Sequence, residues 1–168
     1  LVDLGTNGEL AIGDGERILC TSTAAGPAFE GANISCGVGS VTGAISRFDI
    51  RDGKVLVQTS GEASPIGICG SGVLDIVAVG LRERLIDRTG RLQVGNAPVD
   101  SLEVGRKANG EAIVFNQKDV REFQLAKAAI RTGLEILLIE YGCSWTDVGQ
   151  VYVAGGFGAG IDVNHAVA

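Results

Sequence analysis

The sequence predicts an α/β domain built on a mixed sheet. Residues 1–23 read as short apolar runs separated by turn dipeptides, and two later stretches repeat apolar residues at helical spacing. A last strand lies near the C-terminal end, far along the chain from the first. It cannot reach that first strand by a hairpin, so one sheet is expected to hold both antiparallel and parallel pairs.

Taken in order, Asn7-Gly8 and Asp14-Gly15 tolerate positive φ at both centres of a two-residue turn. They cut the opening into runs 1–6, 9–12 and 17–23, an antiparallel meander. Pro27 suits a first helical position, and AFEGANIS around it predicts a short helical turn. GAISRFDI and KVLVQTS flank Arg51-Asp52-Gly53 and read as a second hairpin. The glycine loop PIGICGSG then runs into VLDIVAVGLRERLID, where Val73, Leu74, Val77, Leu81 and Leu85 share one helical face. SLEVG and EAIVF around Asn109-Gly110 make a third hairpin candidate. The longest helix starts at Asn116, with Asp119 at its third position. Val120, Phe123, Ile130, Leu134 and Leu137 or Leu138 recur along it until Gly142 ends it. VYVAGGFGAG reads as a buried strand running into glycines.

Composition narrows the function. The chain has 168 residues, enough for one domain with a substantial core. No apolar run approaches the roughly 20 residues of a membrane span. A net charge of -6 argues against a nucleic-acid partner. There is no methionine, and the chain begins inside a strand pattern, so it reads as a piece of a longer protein. Cys20, Cys36, Cys69 and Cys143 form no CxxC pair and His165 is the single histidine, which does not suit zinc. Reduced thiols in a cytoplasmic protein are the expectation.

Asp3 is the first residue to need explaining. It places a carboxylate inside an apolar strand, two residues before Gly5-Thr6, and a buried carboxylate is costly unless it is hydrogen-bonded or serves an ion. The glycine motifs exclude two common nucleotide sites. No GxxxxGK[ST] occurs, and the glycines at 37–43, 67–72 and 156–160 each miss the GxGxxG spacing. What remains is Asp3-x-Gly5-Thr6-Asn7-Gly8 at a hairpin, with Ala154-Gly155-Gly156-Phe157-Gly158 at the end of a late strand. Backbone N–H groups at such a hairpin can form a concave nest for phosphate, and a neighbouring Asp can hold Mg²⁺ through water.

This pairing resembles the second lobe of the sugar-kinase, heat-shock chaperone and actin superfamily of ATPases. The resemblance implies a ribonuclease H-like mixed sheet with helices over residues 1–168, with hairpin insertions in residues 37–115. DLGTNGE, AAGPAFEGA, GICGSG, QKDVREFQLAKAAI and AGGFG, in this order, resemble more closely still the C-terminal domain of the reductive activators of corrinoid-dependent methyltransferases. Membership would imply ATP or ADP with Mg²⁺ in this domain, and a [2Fe–2S] cluster and a first lobe outside it. The partner would be a corrinoid protein or corrinoid-dependent methyltransferase, whose Co(II) is returned to Co(I).

Carried onto this chain, the resemblance gives Asp3 the catalytic place, holding Mg²⁺ through water and organising the attacking water; the alternative is that it caps its own turn. Gly5, Thr6, Asn7 and Gly8 would contact phosphate. Gly26, Glu30 and Gly31 would lie at the ribose, with Glu30 either accepting a hydroxyl or standing in solvent. Gly155 and Gly156 would admit adenosine, or serve a turn that merely needs glycine. Phe157 is expected in the core. The loop at 67–72 heads a helix and suits either an anion or the purine edge, or simple packing closure. Gln124, Lys127 and Arg131 read as a solvated stripe, with Glu135 placed to pair with Arg131. A small-molecule kinase and a non-enzymatic nucleotide-gated interaction domain are the competing functions, and a homodimer stays open.

Overall fold

The computed structural model describes residues 1–167. Strands β1 (Val2–Leu4), β2 (Gly8–Gly13) and β3 (Ile18–Thr23) form the expected meander. Its first turn differs from the expectation. Leu4 pairs with Gly8, so Gly5, Thr6 and Asn7 make a longer loop, and neither Asn7 nor Gly8 has positive φ. Gly8 is glycine for a packing reason: a Cβ there would lie 2.0 Å from Ile130 Cδ1.

A 3-10 turn, Pro27–Glu30, follows with Pro27 at its start. Strands β4 (Ala44–Arg51) and β5 (Lys54–Thr59) join through Asp52 and Gly53, whose φ values of 51° and 71° make the expected tight turn. The short β6 (Gly67–Ile68) pairs parallel with β4. Helix α1 (Gly70–Arg82) comes next and is buried from Gly70 through Gly80. It is shorter than its apolar pattern suggests. Arg84 turns the chain at φ 58°, and the N–H groups of Leu85 and Ile86 both return to Gly80 O, so Leu85 lies beyond the helix.

Strands β7 (Gln93–Val94) and β8 (Ala97–Pro98) form a small hairpin that the sequence reading missed, although its Gly95-Asn96 turn is a usable signal. Strands β9 (Ser101–Arg106) and β10 (Ala112–Asn116) make the third hairpin and lead into α2 (Gln117–Tyr141). Asn116 and Asp119 form a reciprocal capping box, and Gly142 closes the helix at φ 82°.

The chain returns through β11 (Val153–Ala154), then α3 (Gly155–Gly160) and α4 (Val163–Ala166). Strand β11 pairs parallel with β1, giving the order β11-β1-β2-β3 and the mixed sheet. It is an edge strand. Val151, Tyr152 and Val153 are exposed, against the expectation of a buried strand.

Two clusters hold these parts. Val2, Leu10 and Leu137 seat α2 on the meander, and Gly133 lets Leu10 and Thr23 approach the helix backbone. The larger cluster surrounds α1, where Val73, Ile76 and Val79 are at most 1% exposed. Each such side chain stabilises the fold by about 1.5–3 kcal/mol. Among the described residues no helix is long and apolar enough to cross a membrane.

Candidate functional site

The β1–β2 loop meets the turn that carries Glu30. Thr6 donates to the Glu30 carboxylate twice over, from its backbone N–H at 3.0 Å and from Oγ1 at 2.8 Å. Gly26 N–H donates to Thr6 O at 2.9 Å, so the loop is held from both sides. Gly5 N–H donates within the loop, to Asn7 O at 3.0 Å. Gly26 and Gly31 bracket the turn at φ 77° and 79°, and a Cβ on Gly31 would sit 2.3 Å from Val38 O. Glu30 is exposed, as one of its two alternatives expects, and its carboxylate is in addition bonded to Thr6.

The opposite wall comes from helix starts. Gly70, at the head of α1, packs so tightly that a Cβ would lie 1.8 Å from Phe29 O. The first turn of α1 carries no acidic residue, so the positive end of a 13-residue helix is left uncompensated there. Phe157 on α3 packs against Phe29, ring centroids 5.1 Å apart, and so belongs to the core edge as well as to the cleft. Together these parts enclose a cleft of about 450 Å³ lined by Gly5, Glu30, Ser71, Gly156 and Phe157 among others. Of the sequence-predicted residues, Gly5, Glu30 and Gly156 line this cavity, while Asp3, Thr6, Asn7, Gly26, Gly31 and Gly155 are not among its lining. Gly8 does not reach it, being buried under α2.

Asp3 stands on β1 opposite Ala154, which brings its carboxylate against the start of α3. A Cβ on Gly155 would lie 2.0 Å from Asp3 Oδ1, and Gly155 has φ 76°. Gly155 is therefore glycine on two counts, conformation and clearance for Asp3. Among the described residues no donor bonds the Asp3 carboxylate, so it does not cap its own turn. Among the described residues no Lys or Arg lines the cleft, whose charge comes from Glu30.

Three carboxylates outside the cleft tie elements together. Asp75, 1% exposed in α1, accepts from Phe48 N–H at 3.1 Å and lies 2.7 Å from His165 Nδ1, anchoring α4. The same signal that marked Asp3, an acid inside an apolar run, marks Asp75. Asp49 is pulled well below the usual carboxylate range by hydrogen bonds from Arg82 first and Arg51 second. Gln124 donates to Thr89 O, and Arg131 pairs with Glu135 and stacks on Trp145, so that stripe is partly engaged within the domain. The four cysteines are free, and among the described residues no three His, Cys, Asp or Glu side chains gather as a metal site.

A family model described as the C-terminal domain of RACo, the ASKHA domain, matches residues 1–168. The chain belongs to this family. Two curated relatives agree with that membership. The corrinoid activation enzyme RamQ of Eubacterium limosum is 39% identical over 184 residues, covering 99% of this chain and 31% of that protein. A protein of Methanosarcina barkeri named [Co(II) methylated amine-specific corrinoid protein] reductase is 30% identical over 188 residues, covering 99% and 33%. A solved structure of a reductive activator for corrinoid, iron-sulfur protein superposes with a TM-score of 0.88 at 33% identity, covering 99% of this chain and 28% of that one. This RACo-type C-terminal domain therefore spans about a third of the length of the curated relatives it matches.

Proposed function

We propose that this chain is the ATP-binding second lobe of a reductive activator that returns a Co(II) corrinoid to Co(I), the form that accepts a methyl group. The observation that carries this reading is family membership over the whole chain. The single cleft shared by Gly5, Glu30 and Gly156 supports the nucleotide assignment. A first lobe outside this chain forms the facing wall, and the partner is a corrinoid protein or corrinoid-dependent methyltransferase in the cytoplasm. A [2Fe–2S] cluster would be held outside this domain, and among the described residues the four free cysteines gather into no metal-ligand group.

Mg²⁺ prefers to keep several waters and take few carboxylates, and an unbonded Asp3 beside a cleft without Lys or Arg fits such an ion. Bound Mg-ATP would supply the driving force for an unfavourable electron transfer. Asp3 holds the hydrated cation and orients the attacking water. Thr6 and Asn7, with the backbone of Gly5, face the phosphates, and Gly8 lets α2 seat beneath that loop. Gly26 and Gly31 shape the turn that brings Glu30 toward the ribose. Gly156 leaves room for adenosine, nothing lying within 4 Å of a Cβ built on it, while the clearance at Gly155 is taken by Asp3.

Calorimetric titration of the full-length protein with Mg-ATP tests the assignment. Asp3→Ala is expected to weaken Mg²⁺-dependent binding about tenfold, or about 1.4 kcal/mol, without unfolding the domain. Gly156→Val should block adenosine by filling the cleft. Unchanged affinity in both variants would remove the site.

A further inference from the structure

We propose that Glu30 is a built-in competitor for phosphate at the β1–β2 loop. The inference rests on the nucleotide reading above and concerns how that site is regulated. Thr6 offers two donors, its N–H and its hydroxyl, and both are given to the Glu30 carboxylate. The Gly5 N–H is spent on Asn7 O. A phosphate oxygen arriving at Thr6 therefore needs the donors that Glu30 already holds.

The two anions cannot share them. Charge-assisted hydrogen bonds to a carboxylate are stronger than neutral ones, and two negative groups on the same donors repel. Thr6 cannot simply turn away, because Gly26 N–H fixes its carbonyl. Glu30 is the mobile party. It is exposed, it ends its 3-10 turn, and Gly31 follows it at φ 79°. Phosphate binding thus expels the Glu30 carboxylate from Thr6 and frees it for the ribose side of the cleft. The same turn carries Phe29, whose carbonyl sits against Gly70 at the head of α1. Exchange at Thr6 is consequently felt by the helix forming the opposite wall.

The test separates phosphate from ribose. Full-length protein and its Glu30→Gln variant are titrated with inorganic tripolyphosphate in EDTA, and with Mg-ATP. Glu30→Gln keeps the shape of an exposed side chain and removes the competing charge. Tripolyphosphate should bind the variant roughly tenfold more tightly, a gain of about 1.4 kcal/mol. Unchanged or weaker tripolyphosphate binding, with Mg-ATP still bound by the wild type, overturns the competitor role and leaves the nucleotide reading standing. Binding of neither ligand by either protein overturns both.

Discussion

Asp3 and Gly155 show how much a single position can carry. The sequence pointed to both, Asp3 for its charge in an apolar strand and Gly155 for an adenosine contact. The structure adds that Gly155 also makes room for Asp3. Gly155→Ala should therefore cost about 1–3 kcal/mol in denaturant unfolding, through positive φ and through the displaced carboxylate. It should also weaken Mg²⁺-dependent nucleotide binding, while a Gly149→Ala control, with open space around it, changes neither. Asp49 gives a pH prediction. Its carboxyl is held low in the folded state, chiefly by Arg82 at 2.5 Å. A depressed pKa contributes stability that is complete above the unfolded value of about 3.9 and is lost as pH falls below it. Arg82→Met should raise the pH at which acid unfolding begins. At neutral pH it should cost no more than about 1 kcal/mol, because the pair is partly exposed. An unshifted acid midpoint would count against that pair.

At the scale of elements, what was legible was local. Asn116, Asp119 and Gly142 fixed both ends of α2 because capping depends on residues a few positions apart. The reach of Asp119 was not legible. Fully buried, it accepts from the N–H and Oγ of Ser35, 84 residues away, at 2.8 and 3.0 Å, and so pins the segment after the Glu30 turn to the head of α2. Asp119→Ala should cost about 2–4 kcal/mol, more than a cap alone, because it strands the part-buried donors of Ser35 and Asn116 as well. A loss below about 1 kcal/mol by chemical denaturation would reduce Asp119 to a cap. The end of α1 was misread for a related reason: Leu85 kept the apolar period, but the chain had already turned at Arg84 to close on Gly80. The exposure of β11 was equally hidden, since an apolar strand at a sheet edge reads like one in the middle.

The whole molecule is a family C-terminal domain in which three separated pieces, Leu4 and Gly5, Phe29 and Glu30, and Gly156 with Phe157, line one cleft beside the head of α1. Their meeting was expected only from the resemblance of the ordered motifs to a known family, since turn chemistry by itself is local. The hydrogen-bonded contact of Thr6 with Glu30 was not legible, because it joins two separate turns through side chains. In the proposed function, nucleotide held here drives an electron onto cobalt, a step for which each tenfold change in equilibrium corresponds to about 59 mV. The direct measurement mixes the full-length protein with a low-potential reductant and its corrinoid partner, and follows Co(I) absorbance with and without Mg-ATP. Co(I) is expected to accumulate with Mg-ATP, and to fall to the nucleotide-free level in Asp3→Ala. Equal Co(I) yield without nucleotide, or with Asp3→Ala, would contradict the proposed function.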